Sequence, residues 1–196
     1  MSGLNGFRKL FTANEQRIYK TVYERNPISR VKVAERLSLT RAAVTIGATR
    51  LIENGFIEEI GKGDSDGRRG RREVLLAVKP NAIYVIAIHI GLHYIQYGIL
   101  NIAGETVASK TIRHNHQISA HDTLSGIADE LIAMIEKQNI PQEKIFGLGA
   151  AIPGVVNYEA GTAQLQSLLH WHQFPVKTFL QERLEIPIFI LSLIHI

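Results

Sequence analysis

Three groups of side chains are spaced as chemistry would need them. The first lies in Ser29 to Gly55, SRVKVAERLSLTRAAVTIGATRLIENG. At helical spacing, Arg41, Ala42, Thr45, Ile46 and Thr49 fall on one side, and Val44, Gly47, Ala48, Leu51 and Ile52 on the other. Small or hydrogen-bonding side chains near a helix N-terminus, backed by an apolar face, are what reading base edges in a major groove requires. Thr40, at the start of the same helix, joins that surface. The second group is Gly67-Arg68-Arg69-Gly70-Arg71-Arg72. Arg68, Arg69, Arg71 and Arg72 could enter an A/T-rich minor groove, where negative potential is concentrated, or form a solvated charged loop. The third is two alternating histidine pairs, His114/His116 and His170/His172. A metal could use two such residues, but no carboxylate or cysteine lies at suitable spacing. They read as loop or rim residues, and no metal or cofactor is expected.

The elements that must hold the first two groups follow from the same stretch. Ser29 can cap one short helix carrying Val31, Val33, Ala34 and Leu37. Ser38-Leu39 makes a turn, Thr40 caps the second helix, and Gly55 ends it. Upstream, Met1 to Thr12 lacks periodicity and reads as a loose arm. Asn14 can cap a helix with Ile18 and Val22 on its apolar face, closed by Asn26-Pro27. Phe56 to Ile60 and Glu73 to Val78 read as paired strands around the arginine-rich tip. Helices followed by a basic two-stranded wing make a winged helix-turn-helix pattern. An ordinary antiparallel helix pair is the plainer alternative.

Charge supports the division. Residues 1–80 carry 16 Lys and Arg against 9 Asp and Glu, whereas residues 81–196 carry 6 against 9. The basic surplus sits in the half with the base-reading pattern, as phosphate contact requires. There is no cysteine, so disulfide frameworks and thiolate metal sites are excluded. No signal-peptide core or membrane-length apolar run is visible. A cytoplasmic protein with no membrane partner is expected.

Beyond Lys79-Pro80 the character changes. Ile83 to Ile90, Ile95 to Leu100 and Glu105 to Ile112 read as three antiparallel strands. Leu124, Ile127, Ala128, Leu131, Ile132 and Ile135 then mark a long amphipathic helix. Phe146 to Ile152 is a fourth strand, Val176 to Leu184 a short helix, and Ile188 to Leu191 begins a fifth strand. The fold class is therefore α+β: a winged helix-turn-helix over residues 1–80, then a βββαβαβ unit over residues 81–196. That order resembles one lobe of the actin-like, ribonuclease-H-like sugar kinase fold.

Several blocks, in order, resemble the ROK family of sugar-responsive repressors and sugar kinases. They are Asn14 to Ile18, Pro27 to Arg30 with the following helix, GKGDSDGRRGRREVLLAV, and Gly147 to Val156 with Gly161 after it. The resemblance implies a DNA-binding regulator, a repressor of carbohydrate genes modulated by a sugar or sugar phosphate. It implies an A/T-rich palindromic operator and, in a full-length relative, a homodimer or higher. It also implies ligand contacts at Pro153, Gly154, Ser167, His170 and Trp171. Trp171 could stack on a sugar ring or simply fill the core.

The departures from the family's kinases are equally specific. An acidic residue and two glycines occupy their first hairpin turn, where this chain reads His89, Gly91 and Leu92. A neutral imidazole cannot replace a carboxylate on magnesium. Their catalytic aspartate follows the strand that here is Ile188 to Ile190. The residues that follow here, Leu191-Ser192-Leu193-Ile194-His195-Ile196, include no carboxylate to act as general base. No enzyme activity is expected, an appended-domain sugar kinase being the alternative. Those last six residues match nothing in the family order. They suggest a reading frame interrupted near position 190, without the second lobe, so that a non-sensing DNA-binding fragment is a further alternative.

Overall fold

The computed structural model describes residues 11–62, 74–157, 160–166 and 171–193. The chain divides into two compact units, Met1–Ala82 and Ile83–Ile196. The boundary lies two residues beyond the one the composition shift suggests. Among the described residues no helix is long and apolar enough to cross a membrane.

The first unit holds α1 (Ala13–Glu24), β1 (Ile28–Ser29), α2 (Arg30–Leu37), α3 (Arg41–Glu53), β2 (Ile57–Lys62) and β3 (Val74–Val78). Helix α1 starts two residues earlier than Asn14 suggests. Thr12 is the cap, because Glu15 lies three residues on and completes a capping box. Thr12 Oγ1 accepts from the Glu15 amide at 3.3 Å, and Glu15 Oε2 accepts from the Thr12 amide at 2.8 Å. Phe11, assigned to the loose arm from sequence, is buried edge-to-face against Phe56 at 4.7 Å. The three strands form an antiparallel sheet in the order β1-β3-β2. Strand β1 is only two residues long, and Ser29 both ends it and caps α2, so no alternating pattern announces it. Ile18, Val22, Val33, Val44, Ala48, Leu51 and Leu76 make the core.

The second unit holds β4 (Tyr84–Ile90), β5 (Tyr94–Asn101), β6 (Thr106–Arg113), α4 (Ala120–Lys137), β7 (Ile145–Ile152), β8 (Val155–Asn157), β9 (Thr162–Gln166), β10 (Trp171–Phe174), α5 (Val176–Leu184) and β11 (Ile188–Ser192). Its main sheet runs β11-β7-β4-β5-β6. Strands β4, β5 and β6 pair antiparallel, whereas β7 pairs parallel with both β4 and β11. Strand β4 alternates buried and exposed residues along its whole length, so one face of its apolar run is core and the other is open. The core face carries Ile86, Ile88, Ile95, Ile99, Leu148 and Ile190 beneath Leu124, Ile127 and Leu131 of α4 and Leu180 of α5. The small sheet β10-β9-β8 is absent from the sequence reading, which assigned no element between Ile152 and Val176. Strand β11 also continues past Ile190. Leu191 and Ser192 pair with Ala151 and Ile152, and the Leu193 amide donates to Ile152 O at 3.0 Å. Leu191 and Ser192 are thus part of the strand.

Candidate functional site

Helix α3 is the best-defined candidate surface, and its surroundings fix it from several sides. Ser38 closes α2 in the left-handed region, with φ 52° and ψ 40°. Thr40 Oγ1 then accepts from the Ala43 amide at 3.1 Å to open α3. At the far end Gly55 takes φ 76°, and the Gly55 and Phe56 amides donate back to Ile52 O and Leu51 O, as in a Schellman cap. The sequence placed all three devices correctly. The back of α3 is Val44, Gly47, Ala48 and Leu51, all buried. At Gly47 the crossing with α1 is tight: a Cβ there would lie 2.6 Å from Ile18 Cδ1. Arg17 of α1 donates to Leu37 O at 3.0 Å, and Arg30 pairs with Glu59 at 2.6 Å. These contacts bind α2 to its neighbours on both sides.

Thr40, Arg41, Ala42, Thr45, Ile46 and Thr49 are all exposed. Ile46 is the extreme case, 59% exposed in the middle of the outward face. The Thr45 hydroxyl donates to Arg41 O at 2.8 Å. Arg68, Arg69, Arg71 and Arg72 lie outside the described residues.

Behind α3, Arg50 Nη1 lies 3.2 Å from Glu15 Oε1. Burial pushes the Glu15 carboxyl up. Hydrogen bonds from the Thr12 amide and the Arg50 guanidinium outweigh burial and hold it below the usual glutamate range. Beside it, burial pushes the Tyr19 phenol up to about 12.

The sugar-contact residues expected from the resemblance are distributed less clearly. Pro153 and Gly154 form the turn between β7 and β8, where Gly154 has φ 94°. Ser192 Oγ donates to Gly154 O at 2.8 Å, which ties the turn to the end of β11. Ser167 and His170 lie outside the described residues. Trp171 is only 2% exposed and packs edge-on to His114 and against Phe174. No open ring face is left for a sugar to stack on, so core is the role its burial supports. The cause is β10, which the sequence reading missed and which carries Trp171 inward.

The hairpin turn between β4 and β5 is held by β6. His114 Nδ1 lies 2.7 Å from Gly91 O; a carbonyl only accepts, so that nitrogen carries the proton. The His114 and His116 rings lie tilted against each other with centroids 4.5 Å apart. Among the described residues no group of three His, Cys, Asp or Glu could hold a metal. His89 and Leu191 lie on the open face of the main sheet, in a shallow hollow of about 590 Å³.

Comparison with known proteins places these units in context. A putative xylose repressor from Caldicellulosiruptor sp. (strain Rt8B.4) is 33% identical over 181 residues, covering 90% of this chain and 44% of its own length. An N-acetylglucosamine repressor from Escherichia coli O6:H1 is 23% identical over 180 residues, covering 90% and 43%. The crystal structure of a ROK family transcriptional regulator, described as a homolog of the E. coli MLC protein, superposes with TM-score 0.65 at 21% identity. It covers 91% of this chain and 45% of that one, and shows that the two share a fold. The chain thus spans less than half the length of these relatives. The sequence profile of the ROK family matches residues 85–194, more than half of the chain and beyond Ile190. On that match, this chain belongs to the ROK family.

Proposed function

We propose that this chain is a sequence-specific DNA-binding transcriptional regulator, a repressor of carbohydrate genes whose operator affinity responds to a sugar or sugar phosphate. The carrying observation is the outward face of α3. Arg41, Ala42, Thr45, Ile46 and Thr49 are exposed together while the opposite face is core. On this reading the first unit is a winged helix-turn-helix, with α3 in the major groove and Arg68, Arg69, Arg71 and Arg72 in the flanking minor groove. The basic surplus of residues 1–80 supports it, since phosphate contact supplies much of such affinity. The second unit is one lobe of an actin-like sensor, with Pro153 and Gly154 at the ligand, and it uses no ATP. The names of the relatives, xylose and N-acetylglucosamine repressors, support a sugar as effector. A soluble cytoplasmic protein reading an A/T-rich palindromic operator, as a homodimer or higher in a full-length relative, fits the same picture.

Binding to duplex DNA measured against salt tests this reading. The logarithm of the affinity should fall linearly with the logarithm of salt concentration. Replacing Arg68 and Arg69 with Ala should lower affinity mainly for sites with A/T-rich flanks. A chain that ignores DNA at low salt would refute the function. A wing variant equally tight on all flanks would remove the minor-groove contact alone.

A further inference from the structure

We infer that α3 recognises thymine through its 5-methyl groups, using Ala42, Thr45 and Ile46 as an apolar strip; this rests on the DNA-binding function proposed above. The face is unusual for a surface meant only to meet water or phosphate. Ile46 is 59% exposed at its centre, and Ala42 is exposed one turn earlier. Residues four apart lie one above the other on a helix, so these two form a continuous apolar patch. Thr45 sits beside them, and its hydroxyl proton is already given to Arg41 O at 2.8 Å. Its methyl branch therefore remains for contact.

The chemistry of base edges then narrows the partner. In the major groove a guanine offers only acceptors, and an adenine offers one acceptor and one donor. Cytosine offers a donor; thymine offers an acceptor and, alone among the bases, a methyl group. Ala42 and Ile46 carry no polar side-chain atom, and Thr45 has no free proton for an acceptor. The middle of this face offers no hydrogen bond to a polar base-edge atom, so it favours the one apolar group that a base edge carries. A thymine methyl loses nothing there and gains contact. Four residues of helix rise about 6 Å, close to two base-pair steps of roughly 3.4 Å each. The strip therefore spans three consecutive base pairs and fits thymines two steps apart. Arg41 at its N-terminal side can pair with guanine, and Thr49 marks its other end. Charge complementarity favours a duplex as the partner, since residues 1–80 carry the basic surplus.

The test begins with the 196-residue chain and a pool of randomised duplexes, from which bound sequences are enriched. The tightest duplex is then resynthesised with deoxyuridine replacing thymidine one position at a time. This removes the 5-methyl group and leaves base pairing intact. At two positions within three consecutive base pairs uridine should weaken binding about fourfold each, the worth of one buried methyl group. Ile46→Ala should weaken binding to the thymine duplex and abolish the difference between thymine and uracil at one of those positions. Equal affinity, within twofold, for every uridine duplex would overturn the inference and leave the DNA-binding function standing. Enrichment of no sequence at all would overturn both.

Discussion

Glu15 joins the start of α1 to the end of α3. Its carboxylate accepts from the Thr12 amide and pairs with Arg50 of α3, and it is buried. Because its folded pKa is lowered, the linkage has a definite sign. The stabilisation is present above the unfolded glutamate pKa and is lost as pH falls through the lower folded value. Glu15→Gln should therefore lower stability near neutral pH by about 1–2 kcal/mol, and the difference from the parent should shrink under acid. Urea midpoints of both proteins measured from neutral to acidic pH would check this. A constant difference across that range would show that the charge is irrelevant. Glu15 also shows how far local sequence can be read. Its spacing from Thr12 spells a capping box, yet Asn14 is an equally plausible cap when seen alone. Its partnership with Arg50, 35 residues away, is a product of packing that no local pattern contains.

Among elements, α3 was the most legible, because its caps and its two faces are written in consecutive residues. The crossing of α1 and α3 depends on Gly47, where a Cβ would meet Ile18 Cδ1 at 2.6 Å. Ile18 is fully buried and has nowhere to retreat. Gly47→Leu should cost about 1–3 kcal/mol by overpacking, despite leucine's better helix propensity. Hydrogen exchange of the α3 amides would report it: faster exchange is expected, and unchanged protection would mean that the crossing can open without cost. Less was legible in β1 and in β8 to β10. These strands span two to five residues, too few for a period of two to stand out, and they exist because a neighbouring strand offers its edge. Trp171 illustrates the consequence. In a connecting segment it could have faced a ligand, but on β10 it turns inward. The apolar run of β4 had the opposite problem. Its composition gave no hint that Val85 and His89 would face an open sheet surface.

At the scale of the molecule, the division into a basic unit and an acidic one was visible in the charges. The boundary between them was marked by Lys79-Pro80 and the change of character beyond it, two residues short of the division at Ala82. The two units serve one regulator if ligand and operator each bias the same equilibrium, so that a sugar shifts DNA affinity by a coupling free energy. On the proposed reading the chain transfers no phosphoryl group. His89 stands on the open sheet face where the family's kinases carry an acid. Incubation with ATP, magnesium and a panel of hexoses should give no sugar-dependent ADP release, and sustained release would contradict this assignment.

The central claim is that the outward face of α3 reads bases, and Arg41 tests it most directly. It is exposed, and no α3 core contact depends on it, so Arg41→Ala should leave the fold intact. Parent and variant would be allowed to select duplexes from the same randomised pool, and discrimination would be compared position by position. The parent should enrich a defined motif. The variant should lose about 1–3 kcal/mol of discrimination at a single position of each half-site and keep the rest. An identical motif with identical discrimination in both proteins, or no motif in the parent, would contradict the account.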